Sequence, residues 1–126
     1  MPLLQVVIVS TRPGRKGEGV AKWFEARARQ HAGFDVELVD LAEVNLPLFD
    51  EPEHPRFKKY QHEHTKRWSE RVARADAFVF VTPEYNYSAP PSLVNALDYL
   101  AHLEDTQSHG AVANLSFPAS HYGRHR

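Results

Sequence analysis

The sequence contains no cysteine among its 126 residues. Disulfides, thiolate catalysis, zinc ribbons and iron–sulfur clusters are therefore excluded. No apolar run approaches the roughly 18–20 residues that a membrane-spanning helix needs. Neither sign of charge is in excess, because 15 basic residues face 16 acidic ones. This balance argues against a generally basic nucleic-acid binder and against an acidic tail protein. The N-terminus lacks the features of a signal peptide, so we expect a protein of the reducing cytoplasm with no membrane partner.

What is present is an ordinary globular composition, with 42% hydrophobic and 25% charged residues, which predicts one domain over residues 1–126. Short apolar runs rich in β-branched residues predict strands at 3–9, 34–39, 77–81 and 111–117. Apolar residues at helical spacing predict helices at 17–31 and 58–74, and another that begins after Pro90. The stretch 45–56 holds three prolines and predicts a loop. Strands that alternate with helices predict an α/β domain with a mainly parallel sheet.

A polar, basic loop follows the first predicted strand and leads into a helix. It reads STRPGRKGEG from Ser10 to Gly19. Hydroxyls and backbone N–H groups at a helix N-terminus form an anion site, and three basic residues add positive charge. The loop lacks the Gly-Lys-Ser/Thr of a P-loop and the third glycine of a Rossmann fingerprint. On this loop alone, a phosphate site and a simple helix cap with a solvated basic turn both remain open.

A second loop, TPEYNYS from Thr82 to Ser88, follows the clearest buried strand. In open parallel sheets, ligands bind outside the carboxyl ends of the strands, where the strand order reverses. The polar and aromatic groups of this loop could hold a flat ring, with backbone amides bonding its edge. The alternative is a turn whose tyrosines pack on the surface.

Several segments carry a resemblance over roughly the first 100 residues. They are VIVSTRPGR at 7–15, LPLFD at 46–50, the stretch from EHTK at 63–66 to RADA at 74–77, TPEYNYSAP at 82–90 and LVNALD at 93–98. These segments resemble the NADPH-dependent FMN reductase family. The resemblance implies a flavodoxin-like fold, an open parallel sheet with helices on both faces and strand order 2-1-3-4-5. It also implies one FMN per subunit, NADPH or NADH as electron donor, and homodimers or homotetramers that build the site.

The resemblance assigns cofactor binding to nine residues. Those expected at the FMN phosphate are Ser10, Thr11 and Arg12, with Arg15 and Gly17 where related sequences often place Ser and Asn. Those expected along the isoalloxazine ring are Pro83, Glu84, Tyr85 and Asn86. Asn95 and Asp98 are expected to secure the helix start and subunit packing rather than contact the flavin.

The activity implied is an oxidoreductase that passes electrons from NAD(P)H through bound FMN to flavin, quinone or azo acceptors. The flavin carries the chemistry, so no catalytic side chain is required and none is assigned. The alternative is a non-catalytic flavin- or anion-binding module, or a truncated subunit that assembles with partners.

From about Ala101 the sequence departs from the family pattern. Residues 111–117 supply a fourth strand, but the family's glycine-rich turn and its last strand and helices have no counterpart. We therefore expect strand order 2-1-3-4 with the fifth strand missing, and an open sheet edge that an oligomer covers. A natural truncation, an altered reading frame and a fragment of a longer protein all remain open.

Two histidine pairs and a basic helix suggest no further site. His121 and His125 have the spacing of a helical metal pair, but no nearby glutamate completes a motif and the surroundings disfavour a helix. His62 and His64 are expected on different faces of one helix. No metal is therefore expected. The basic residues of 58–74 are interpreted as a solvated face rather than a nucleic-acid surface.

Overall fold

The computed structural model describes residues 1–31, 33–53, 59–85 and 88–100, together with the backbone of 112–118. Strands and helices alternate along the chain. The strands are β1 (Leu3–Ile8), β2 (Asp35–Asp40), β3 (Ala77–Glu84) and β4 (Val112–Pro118). The helices are α1 (Gly17–Arg29), α2 (Leu41–Val44), α3 (Glu63–Ala73) and α4 (Pro91–Asp98).

The four strands form one parallel sheet in the order β2-β1-β3-β4. β1 lies in the middle, with Val6 opposite Leu38 on one side and Val79 on the other. The predicted order 2-1-3-4 and the flavodoxin-like class are thereby confirmed. The expected lack of a fifth strand concerns residues outside the described part, so it stays a prediction.

Helices cover both faces of the sheet, which is why β1 is apolar without alternation. Successive residues of a strand point to opposite faces. Val7 packs with Trp68 and Val72 of α3, whereas Val6 and Ile8 pack with residues of α1. The face of α1 that meets the sheet carries Ala21, Phe24 and Ala28. Trp23 of the same helix is 59% exposed and lies away from this face.

Helix α3 begins later than the sequence predicted, at Glu63 instead of Lys58, and Lys58 itself lies outside the described residues. The buried carboxylate of Glu51 accepts hydrogen bonds from the backbone N–H of Gln61 (2.8 Å) and of His62 (3.1 Å). It also accepts one from the hydroxyl of Thr65, at 2.7 Å. A carboxylate distant in sequence therefore sets where this helix starts.

The same bonds govern the ionisation of Glu51. Burial alone would raise its pKa, but the hydrogen bonds from Gln61, Thr65 and His62, with the charge of His62, outweigh burial and leave the pKa lowered. Glu51 is thus held as a carboxylate in the folded protein.

The expectation that His62 and His64 lie on different helix faces is wrong. His62 precedes the helix with an extended backbone (φ −92°, ψ 140°) and only His64 lies within it. The two rings therefore stack, with centroids 5.1 Å apart. His121 and His125 lie outside the described residues.

Strand β3 is longer than predicted, because it continues through Thr82 and Pro83 to Glu84 instead of ending at Val81. A proline cannot donate to a ladder and is disfavoured inside a sheet. Pairing with β1 stops at Val81, so no strand on that side requires an N–H from Pro83. β4 continues alongside β3 as far as Glu84.

The segment that follows α2 is irregular, as its prolines predicted, but it is firmly held by α4. The side-chain amide of Asn95 accepts from the N–H of Phe49 (2.9 Å) and donates to the carbonyl of Pro47 (2.8 Å). The buried hydroxyl of Tyr99 donates to the same carbonyl at 2.7 Å. Asn95 thus holds the segment at 47–49 to α4, whereas the resemblance implied a role at the helix start and in subunit packing.

Candidate functional site

The two predicted loops meet at the carboxyl edge of the sheet because they follow neighbouring strands. β1 and β3 pair up to Ile8 and Val81, and Val9 N–H then donates to the carbonyl of Val81 at 3.0 Å. Between the loops lies a cavity of about 70 Å³. Its lining consists of Ser10, Arg12, Pro13, Gly14, Arg15, Lys16, Gly17, Pro83 and Tyr85.

Six of the nine residues that the resemblance assigned to FMN therefore line one cavity. They are Ser10, Arg12, Arg15, Gly17, Pro83 and Tyr85. Thr11 lines a neighbouring cleft, Glu84 lines neither space, and Asn86 lies outside the described residues.

Ser10 has an unsatisfied hydrogen-bonding group at the base of this cavity. The residue is only 3% exposed, and its Oγ has no hydrogen-bond partner within the described chain. A buried hydroxyl without a partner is costly, and native proteins almost always satisfy one. A ligand oxygen in the cavity would supply the missing partner.

The start of α1 adds positive potential beside Ser10. Gly17 begins the helix, and the N-cap residue Lys16 makes no side-chain capping hydrogen bond. The unpaired amides and the dipole of a helix N-terminus attract anions. Gly14, in the turn that precedes the helix, has a left-handed backbone (φ +70°). An anion of phosphate size fits this combination of donors.

Arg12 connects the two loops. Its side chain is exposed, and its guanidinium carbon lies 5.9 Å from the ring centroid of Tyr85. This is the distance of a cation–π contact. Arg12 therefore stands at the mouth of the cavity, with its charge available to an anion inside.

Arg15 points to a different partner. Its guanidinium donates to both carboxylate oxygens of Asp40, at 2.6 and 2.5 Å, and to the backbone carbonyl of Ser10 at 2.7 Å. Glu18 lies 3.4 Å from the same guanidinium. The hydrogen bond from Arg15 lowers the pKa of Asp40 and outweighs the burial that would raise it. The charge of Arg15 is therefore already balanced by a carboxylate.

In the second loop, Tyr85 and Ser88 pair with each other through their backbone groups. Tyr85 and Ser88 exchange two hydrogen bonds, of 3.0 and 2.9 Å, across the turn. Pro83 fixes the backbone at its entry. The Thr82 hydroxyl donates to the carbonyl of Pro83 at 2.9 Å, so it is already engaged.

A larger cleft of about 350 Å³ opens on the other side of Thr11. Among the described residues, no charged side chain lines it. Its walls are Thr11, Leu41, Ala42, Asn45, Leu46, Leu48, Pro91, Ser92, Asn95 and Ala96. Leu48, which lines this cleft, is 80% exposed, and Val94 of α4 is 47% exposed. Leu48 thus places an exposed apolar side chain beside the candidate site.

Two features, a metal-binding cluster and a membrane-spanning helix, are absent from the residues that the structure describes. No group of three or more His, Asp or Glu in them could hold a metal ion. None of the helices observed there has the length and apolar character needed to cross a membrane.

Asp40 is the residue of this region that the sequence reasoning missed. No role was assigned to Asp40 from the sequence, where it directly follows the second predicted strand. It also accepts from the N–H of Ala42 at 3.0 Å and so caps α2. The available signal was an acidic residue at the carboxyl end of a strand adjacent to β1, the edge where the basic loop lies.

Comparison with known proteins agrees with this geometry. A family model described as NADPH-dependent FMN reductase matches residues 3–125. An NAD(P)H-dependent FMN reductase of Schizosaccharomyces pombe is 42% identical over 103 residues, which cover 80% of this chain and 52% of that protein. The chain spans about half the length of the curated relatives it matches.

Solved structures share the fold. An NAD(P)H:quinone oxidoreductase from Methanothermobacter marburgensis superimposes with a TM-score of 0.68 at 19% identity, covering 91% of this chain and 66% of that one. An azoreductase from Bacillus anthracis gives a TM-score of 0.67 at 19% identity, covering 92% and 69%. At such identities the likeness establishes the flavodoxin-like architecture.

Proposed function

Because this chain belongs to the NADPH-dependent FMN reductase family, we propose that it binds FMN and acts as an NAD(P)H-dependent oxidoreductase. The observation that carries the proposal is the buried, unpartnered hydroxyl of Ser10 in a cavity formed by both loops. That hydroxyl lies beside a helix N-terminus and the guanidinium of Arg12. The three features together suit a phosphate, which is the charged end of FMN.

The chain's own residues bind and orient in this proposal. Ser10, Thr11 and Arg12 hold the phosphate, with Gly17 supplying the helix start. Pro83, Glu84, Tyr85 and Asn86 are proposed to lie along the isoalloxazine ring. Bound FMN supplies the redox chemistry, taking hydride from NAD(P)H and passing electrons to an acceptor.

The acceptor class is also part of the proposal. The names of related proteins include FMN reductase, quinone reductase and azoreductase. A small planar acceptor such as a flavin, a quinone or an azo compound is consistent with these names. A cytoplasmic location belongs to the same proposal, because NAD(P)H is held inside cells.

We further propose that the protein assembles as a homodimer or homotetramer. The exposed apolar side chain of Leu48 at the cleft supports this, together with Val94, which is 47% exposed on α4. Exposed apolar patches of this kind are typical of interaction surfaces. Sedimentation of the wild type and of Leu48→Gln tests this assembly. A wild type and a variant that both sediment as monomers would contradict the proposal.

The flavin proposal is tested by titrating the purified protein with FMN and by following NADPH oxidation. We expect FMN uptake and turnover with a quinone. Arg12→Ala should weaken FMN binding by about 1.5–3 kcal/mol, the usual worth of a hydrogen bond to a charged group. Arg67→Ala removes an equally exposed arginine of α3 and should leave the affinity unchanged.

The outcomes separate the alternatives. No FMN uptake by the wild type refutes the proposal. FMN uptake without NADPH oxidation supports the non-catalytic flavin-binding module instead. Equal affinity in the wild type and Arg12→Ala would remove Arg12 from the site.

A further inference from the structure

Arg15 and Asp40 join the loop after β1 to the end of β2, and Asp40 does not itself line the cavity. Arg15 lies in the loop after β1, and Asp40 is the last residue of β2, 25 positions later. Both carboxylate oxygens of Asp40 are engaged by the two terminal nitrogens of Arg15. This fork geometry fixes the direction of the guanidinium as well as its charge.

The pair is protected from water. The side chains of Arg15 and Asp40 are only 14% and 10% exposed. By contrast, the Arg29–Glu25 pair on α1 is exposed at 53% and 21%. Exposed pairs contribute little, whereas an enclosed, bidentate pair restrains the atoms that it joins.

Arg15 also reaches the phosphate site through the backbone. Its Nη1 donates to the carbonyl of Ser10 at 2.7 Å while it bonds Asp40. Ser10 is the residue whose buried Oγ lacks a partner. The bond thus restrains the backbone from which that hydroxyl projects.

We propose that Asp40, through Arg15, is a positioning residue for the phosphate-binding loop, and that the pair makes the site select phosphorylated flavin over its unphosphorylated form. Neither side chain touches the phosphate in this assignment. The inference rests on the proposed function and narrows it. It also revises the role expected for Arg15, from direct contact with the phosphate to support of the loop.

The lowered pKa of Asp40 is consistent with this assignment. The hydrogen bond from Arg15 is its largest cause. The carboxylate therefore stays charged at neutral pH, and the pair is present wherever a flavin reductase would operate.

The test measures the dissociation constants of FMN and riboflavin by fluorescence quenching, and the rise in melting temperature caused by inorganic phosphate. The variants are Arg15→Ala, Arg15→Lys, Asp40→Asn and the double variant Arg15→Ala/Asp40→Asn. Arg29→Ala is the matched control, because it breaks an ion pair of the same type far from the loop. Melting without ligand reports whether each variant folds.

We expect Arg15→Ala and Asp40→Asn each to weaken FMN binding about tenfold, as coupled neighbours do. Riboflavin affinity should stay within about twofold, because riboflavin carries no phosphate to be positioned. The double variant should bind FMN no more weakly than the single variant with the lower affinity. Arg15→Lys keeps the charge without the fork and should lose most of the same affinity. Arg29→Ala should match the wild type.

Three results would overturn the inference. Equal losses for FMN and riboflavin would make the pair a general structural support. Wild-type FMN affinity in Asp40→Asn with a loss in Arg15→Ala would place Arg15 directly on the phosphate. Unchanged affinities in all variants would remove both residues from the site. If Arg15→Ala does not fold, Arg15→Lys and Asp40→Asn decide alone.

The phosphate measurement separates this inference from the proposed function. A wild type that binds no flavin, but is stabilised by phosphate only when the pair is intact, supports the positioning role and refutes the reductase. A wild type that responds to neither ligand refutes both.

Discussion

Gly14 is the position where adding a single methyl group should strain the phosphate-binding loop. Its φ of +70° is left-handed, a region that L residues with a side chain enter at a cost of about 1–2 kcal/mol. A Cβ built at Gly14 meets no atom within 4 Å. The whole penalty of Gly14→Ala is therefore local backbone strain, with no clash against another part of the described structure.

The loop can respond to this strain in two ways. If it keeps its shape, the penalty appears as a loss of about 1–2 kcal/mol in the free energy of unfolding. If it relaxes, stability is retained and the same free energy is lost from FMN binding, because the amides and Ser10 are displaced. The sum of the two losses should thus reach about 1–2 kcal/mol however it is divided.

Gly19→Ala is a control that should change the free energy of unfolding in the opposite direction. Gly19 lies inside α1, it has no positive φ, and a Cβ there also meets nothing within 4 Å. Gly19→Ala should stabilise the protein by about 0.5–1 kcal/mol, since glycine is a poor helix former. Gly14→Asn should recover part of the loss, because asparagine tolerates the left-handed region.

Urea unfolding gives the stability change, and FMN fluorescence quenching gives the change in affinity. The reasoning is refuted if Gly14→Ala loses neither stability nor affinity. It is also refuted if Gly14→Ala and Gly19→Ala shift stability in the same direction.

Three further predictions concern the framework behind the site. Trp68→Ala should cost about 3–5 kcal/mol in urea unfolding, because removing a buried indole leaves a large cavity. Trp23→Ala, on the exposed face of α1, should cost under about 1 kcal/mol. Similar losses for the two variants would contradict the packing described. Tyr99→Phe should cost about 0.5–1.5 kcal/mol through the lost bond to Pro47, and an unchanged unfolding midpoint would count against that bond. Glu51 has a lowered pKa, so its contribution is complete above the usual value of 4.5 and is lost as pH falls through the folded value. Glu51→Gln should therefore destabilise the protein at pH 7 by about 1.5–3 kcal/mol and less at pH 3; equal losses at both pH values would refute this.

The sheet could be predicted because its signal is spread over many residues. The run from Val6 to Val9 is apolar at every position, and only a strand covered on both faces requires that. The location of the site followed from the same rule, since parallel strands bring their carboxyl ends to one edge. Ser10 and Pro83 were therefore assigned to one place although 73 residues separate them.

Boundaries were less predictable, because contacts distant in sequence determine them. The predicted helix began at Lys58, but Glu51 binds the amides of Gln61 and His62 and holds that stretch outside the helix. In α1, the helical spacing of apolar residues predicted an amphipathic helix, but it did not decide which of these residues face the sheet. The small side chains of Ala21 and Ala28 pack closely there, and Trp23 remains outside.

The ion-pair partners of the charges in the phosphate-binding loop also depend on residues distant in sequence. These partners determine which charges are available to a bound anion. Counting basic residues after β1 predicts an anion site, but it does not say which charges an anion would meet. Arg15 is balanced by Asp40, a residue of another strand, so its charge contributes little net potential to the cavity. Arg12 faces the ring of Tyr85 instead, and a neutral ring leaves the cation uncompensated. The loss of FMN affinity on removing Arg12 should accordingly lie toward the upper end of the range for a charged hydrogen bond, because the neighbouring guanidinium is not available to replace it.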